Sequence, residues 1–129
     1  MIDPVKLAEA WIRYWQKPKR TEHDSGGEAI ETLDDMIHSC PSDALHIMDQ
    51  IVEQTSDLKI LAQLGAGPLE NLLGSKQGAR YFDEILTRAR QQKNWRFAFG
   101  CVWTSGYADR QLAQRIEESL DIFFPEGRP

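Results

Sequence analysis

Apolar residues recur along this chain at intervals of three and four, and no stretch alternates convincingly at two. The first spacing lines one face of an α-helix; the second would line one face of a strand. Asp3-Pro4 is a helix start, with Asp as cap and Pro at the first position. Leu7, Ala8, Trp11, Ile12 and Trp15 then follow at helical spacing and predict a first helix to about Lys17. Residues 18–27 are polar and rich in breakers, which predicts an exposed loop. Ile30, Leu33 and Ile37 mark a second helix over 28–39. Pro41 opens a third, with Leu45, Met48, Ile51 and Val52 as its inner stripe up to about Gln54.

Ser56-Asp57 predicts the cap of a short fourth helix that runs through Leu64. The next stretch, Gly65-Ala66-Gly67-Pro68-Leu69-Glu70, reads as one helix stopping and another starting. Gly65 is expected to take the left-handed conformation that closes a helix. Gly67 is expected to cap the next one, with Pro68 at its first position and Glu70 at its third, as in a capping box. That fifth helix ends at Gly74. Phe82, Ile85, Leu86 and Ala89 form the inner face of a sixth helix after Gly78. Asn94 caps a seventh over 95–103, which is apolar on more than one side and therefore central, with Trp103 in the core. On this reading Gly67→Val and Trp103→Ala both strongly destabilise the domain. Thr104-Ser105-Gly106 breaks the chain. A last helix uses Leu112, Ala113, Ile116 and Leu120 and leaves 125–129 as a tail. The expected fold is all-α, one domain of about seven or eight antiparallel helices, as a compact bundle or a HEAT-like stack. No strict internal repeat supports the stack.

The chain has 129 residues, enough for a real core. No apolar run approaches the roughly 20 residues that span a bilayer. The first residues lack the basic, apolar, small-residue order of a signal peptide, so a cytoplasmic location is expected.

Charge changes the picture more than composition does. The net charge is −5, but between residues 21 and 58 there is no Lys or Arg. The same window holds ten acids, among them Asp34, Asp35, Asp43, Asp49 and Glu53. A surface of that sign repels nucleic acid and anionic membranes and attracts basic partners. The bland alternative is a solvated face. Lys76, Arg80, Arg88, Arg90, Lys93 and Arg96 carry the opposite bias. They can pair internally or form a weak phosphate patch, but no Gly-rich phosphate loop accompanies them.

Chemistry is poorly represented. His38, Cys40 and His46 are metal-ligand types, yet their spacing matches no metal motif and Pro41 separates the histidines. Cys40 and Cys101 are too few for a disulfide framework and read as buried free thiols. Nothing marks a carboxylate with a raised pKa in an enclosed site. No cofactor is expected. Tyr14 and Trp15, at the end of the first helix, suit either core or an interface anchor.

The block Ala66-Gly67-Pro68-Leu69-Glu70, followed by Leu72-Leu73, resembles the signature of a small bacterial domain family of uncharacterised function. Trp11-Ile12-Arg13-Tyr14, Pro41 and Gly100-Cys101-Val102-Trp103 extend the resemblance over most of the chain. Two positions depart from the pattern: Asn71 stands where Asp is frequent, and Lys76-Gln77-Gly78 where His-Gly is frequent. The resemblance implies an all-helical, stand-alone bacterial domain and no particular reaction. The leading expectation is a non-enzymatic protein-binding domain, in its sharpest form an immunity or antitoxin-like protein that neutralises a basic toxin. Its contact residues would be Asp34, Asp35, Asp43, Asp49 and Glu53, with Tyr14 and Trp15 as anchors. A HEAT-like adaptor and a small metal-dependent hydrolase around His38, Cys40 and His46 are the alternatives.

Overall fold

A computed structural model describes residues 2–17 and 27–129. Among them every regular element is helical, so the fold is all-α. In chain order they are α1 (Pro4–Gln16), α2 (Gly27–Ser39), α3 (Pro41–Gln54), α4 (Leu58–Leu64), a π-helical segment π1 (Gly65–Leu69), α5 (Glu70–Gly74), α6 (Gly78–Gln91), α7 (Lys93–Gly100) and α8 (Arg110–Phe123). No helix is long and apolar enough to cross a membrane. The loop expected over 18–27 lies outside the described residues except for Gly27, which opens α2.

The chain divides into two compact units, residues 1–60 and 61–129. In the first, α1, α2 and α3 pack on one another. Asp3 caps α1 by accepting from the Val5 and Lys6 amides, and Pro4 needs no donor at that position. Pro41 plays the same part at the start of α3. Gln54 at the end of α3 donates to the Val5 carbonyl at 3.1 Å, which joins that end to the beginning of α1. Trp11, Leu33, Ile37, Leu45, Met48 and Ile51 are fully buried and form the core. Each such side chain contributes roughly 1.5–3 kcal/mol by leaving water.

The second unit is organised differently from what its sequence predicts. Gly65 and Gly67 do not separate two helices. Neither has a positive φ, and helical hydrogen bonding runs unbroken from α4 through π1 into α5. The cause is Pro68. Without an N–H it cannot donate four residues back, and its ring crowds that carbonyl. The backbone adopts a wider turn in which the Glu70 amide reaches Gly65 and Gly67 carbonyls. Gly65 is required for a tertiary reason. A Cβ there would stand 1.9 Å from the Ala98 carbonyl oxygen of α7, which packs directly on π1. At Gly67 a Cβ would meet nothing within 4 Å, so the expected steric need for glycine there is overturned.

The predicted seventh helix is also shorter than its apolar run. It ends at Gly100, and Trp103, expected in the core, is 65% exposed. The core of this unit is built instead on Phe82, Trp95, Phe99, Leu112 and Ile116. Phe99 packs against Phe82 and meets Phe123 edge-on, with ring centroids 6.5 and 6.0 Å away. Four arginines lie over ring faces here: Arg80 over Tyr81, Arg88 over Trp95, Arg96 over Phe123 and Arg115 over Phe82. Arg96 also donates to the Ala89 and Arg90 carbonyls, satisfying the last turn of α6.

The two glycines therefore separate cleanly in a stability assay. Gly65→Ala is expected to cost about 3 kcal/mol or more, because a backbone carbonyl must move. Gly67→Ala is expected to be neutral or to stabilise by up to about 1 kcal/mol through helix propensity. Thermal denaturation of the two variants against the parent checks both signs.

Candidate functional site

In the first unit the candidate acids occupy the outward positions of α2 and α3. Asp34 and Asp35 are exposed on α2, in the stripe that also carries Glu31 and His38. Asp43 and Glu53 are exposed on α3, with the exposed His46 and the half-buried Asp49 between them. Helical spacing explains this: Ala29, Leu33, Met36 and Ile37 of α2, and Ala44, Ile47, Met48 and Ile51 of α3, take the inner faces. The Asp34 carboxyl is raised above its ordinary value of 3.8. Partial desolvation is the largest cause, followed by the like charge of Asp35; Glu31 adds to them and His38 opposes.

Tyr14 and Trp15 are half-buried. Their rings meet edge-on at 5.1 Å, and Trp15 also lies 5.8 Å from the buried Trp11. An open cleft of about 380 Å³ lies at the start of α1 and α2, lined partly by Lys6, Leu7, Glu28 and Thr32. It includes none of the predicted contact residues.

The metal-ligand types do not converge. Among the described residues no group of three His, Cys, Asp or Glu side chains is arranged to hold a metal ion. Cys40 is half-buried and precedes α3, with its sulfur 3.6 Å from the Ser39 hydroxyl. Cys101 is half-buried rather than buried. Desolvation raises its thiol, against a smaller lowering by Arg128, so it is a neutral thiol at physiological pH and a weak nucleophile.

The second unit holds a polar network that local sequence patterns did not reveal. Glu70, assigned by spacing to a capping box, does something else. Its Oε1 accepts from the backbone N–H of Trp103 at 2.7 Å, just past the end of α7. Its carbonyl accepts from the Tyr107 hydroxyl at 2.8 Å. Burial, reinforced by the Glu70 charge, pushes the Tyr107 phenol well up, so it stays a donor at any physiological pH. Thr104 is buried and donates its hydroxyl to Glu117 Oε1 at 2.8 Å. The Thr104 carbonyl accepts from Arg110 at 3.0 Å and from the Tyr107 amide.

Residues 125–129, read as a tail, fold back onto this loop. Gly127 has φ of +118°, a conformation that favours glycine, and its amide donates to the Phe124 carbonyl. The turn delivers Arg128 to Glu117 Oε2 at 2.9 Å, to the Val102 carbonyl at 2.6 Å and over the Trp103 ring, 4.6 Å from its centroid. These partners lie 11 and 26 positions from Arg128 in sequence, beyond the reach of any local motif. The one cue is a negative one: Trp103 falls where an apolar run ends in Thr-Ser-Gly.

The profile of a family of unknown function (DUF6869) matches residues 16–121, and the chain belongs to that family. No curated protein and no solved structure matches it.

Two measurements follow from these sites. Glu70→Ala removes a hydrogen bond between a carboxylate and the Trp103 amide and should cost about 1–3 kcal/mol. Trp103→Ala removes an exposed ring and its cation–π contact and should cost under about 1 kcal/mol, contrary to its assignment to the core. Chemical denaturation ranks the pair. Asp34 provides a pH test. Its raised value means the folded state favours the protonated acid, so ionisation at neutral pH costs stability, and the cost disappears below pH 3.8. Asp34→Asn is expected to raise Tm at pH 7, with the gain shrinking as pH falls towards that value. A Tm series over pH shows it.

Proposed function

We propose that this member of the family is a non-catalytic protein-binding module whose acidic stripes on α2 and α3 dock a basic polypeptide. Its most specific form is an immunity or antitoxin-like protein that acts in the cytoplasm and neutralises a basic toxin. The observation that carries the reading is the placement of the acids: Asp34, Asp35, Asp43 and Glu53 are exposed on α2 and α3, within a segment that has no Lys or Arg. Within it the Asp34 carboxyl is held above its ordinary value first by partial desolvation and then by the like charge of Asp35, with Glu31 adding and His38 opposing. A basic partner offers these exposed carboxylates opposite charge that their own segment lacks. Their negative charge speeds encounter by steering, and it disfavours nucleic acid and anionic membranes as partners.

Tyr14 and Trp15 are the proposed aromatic anchors at the end of α1. Their mutual packing limits the rotamer entropy that contact would remove.

The test is affinity capture from the native host with parent protein and with Asp34, Asp35, Asp43 and Asp49 all changed to Asn. A basic protein retained by the parent should bind the variant about 10–100-fold more weakly, mostly through slower association. Its parental affinity should fall steeply with salt. Equal affinities for parent and variant would remove the acidic stripes from the function.

A further inference from the structure

The surroundings of Arg128 have the composition of an arginine-binding site. A guanidinium is recognised by a carboxylate, by a carbonyl oxygen and by an aromatic ring beneath it. All three are present. Glu117 places both carboxylate oxygens near Arg128 Nη1, at 2.9 and 3.3 Å. The Val102 carbonyl accepts from Nη2 at 2.6 Å. Trp103 supplies the ring, 4.6 Å from the guanidinium carbon. We infer that Glu117, the Val102 carbonyl and Trp103 form a binding site for an arginine side chain of a partner polypeptide, occupied in the free protein by the chain's own Arg128.

The cradle does not owe its shape to Arg128 alone. Glu117 lies on α8 and is also held by the Thr104 hydroxyl. The Trp103 backbone is held by Glu70, and Thr104 by Arg110 and Tyr107. Removing Arg128 therefore leaves the carboxylate, the carbonyl and the ring with other restraints. The strap that carries Arg128 has no helix or strand of its own. Glu126, Gly127 and Pro129 are exposed, and the attachment rests on Arg128 and on the packing of Phe124 and Pro129 over Gly100. Trp103 remains 65% exposed with Arg128 in place, so an incoming chain finds apolar surface beside the cradle before the strap moves. Displacement exchanges one guanidinium for another. The net change is then set by what else the partner contacts, which makes the site selective for arginine within a longer segment. The inference is independent of the acidic stripes and concerns residues 61–129 alone.

The test uses the full chain with Arg128→Ala and an acetylated, amidated Gly-Arg-Pro peptide, the chain's own sequence at 127–129, titrated by calorimetry. A Gly-Lys-Pro peptide is the control. A competitor that leaves the cradle open about 1–10% of the time weakens apparent affinity by about 10–100-fold. The variant should therefore bind the arginine peptide at least about tenfold more tightly than the parent does. It should prefer arginine to lysine by a similar factor, and adding Glu117→Gln should abolish binding. Arg128→Gln is a second vacant form, because a neutral amide makes no ion pair with Glu117 and no cation–π contact with Trp103. Absence of binding to the folded variants overturns the proposal. So does equal affinity for the two peptides, which would signify mere charge attraction. Failure of both variants to fold would make Arg128 a core constituent and would equally end it.

Discussion

The second unit turns on a hydrogen-bond donor that does not exist. Pro68 has no N–H, and the helix that contains it continues only by widening to a π turn. The wider turn shifts the angular register of everything after it. Glu70 is the first residue beyond, and its carboxylate reaches the amide of Trp103 instead of its own helix terminus. The turn can be covered by α7 because Gly65 allows the Ala98 carbonyl to approach where a Cβ would otherwise stand. One missing proton and one missing methyl thus determine how α7 crosses π1 and how the loop after it is tied down.

Helical periodicity made the elements of the first unit legible, and nearly to the residue. Asp3-Pro4 and Pro41 mark helix starts through backbone chemistry that acts within one turn, and the structure places α1 and α3 there. The same local rules failed at Gly65-Ala66-Gly67-Pro68. Glycine and proline are punctuation only where the helix cannot continue through them; here a π turn accommodates Pro68, and Gly65 serves the approach of a carbonyl 33 positions away. Trp103 was misplaced because periodicity registers apolarity, not which carboxylate will claim an amide. The outward positions of Asp34, Asp35, Asp43 and Glu53 could be read from the spacing of their apolar neighbours. The cradle around Arg128 could not, since its parts come from a loop, a helix and a strap that no pattern connects.

The cations of the second half illustrate how poorly a count of charges predicts their use. Arg88, Arg96, Arg115 and Arg128 each lie over an aromatic ring of their own unit. Guanidinium is weakly hydrated and planar, so it covers apolar surface in a way that lysine does not. Of the six cations that the sequence presents as a basic patch, Arg80, Arg88 and Arg96 thus lie over rings of their own unit.

The distribution of tryptophans has an optical consequence. Trp11 and Trp95 are buried, Trp15 is half-buried against Trp11, and Trp103 stands in water beneath a guanidinium. The close indole pair belongs to the first unit and the exposed indole to the second. Long-wavelength emission in the folded state thus originates mainly from the loop after α7, whereas coupling between neighbouring indoles marks the ultraviolet dichroism of α1. The two units carry separate intrinsic chromophores, and the order in which they lose structure is recorded without any added label.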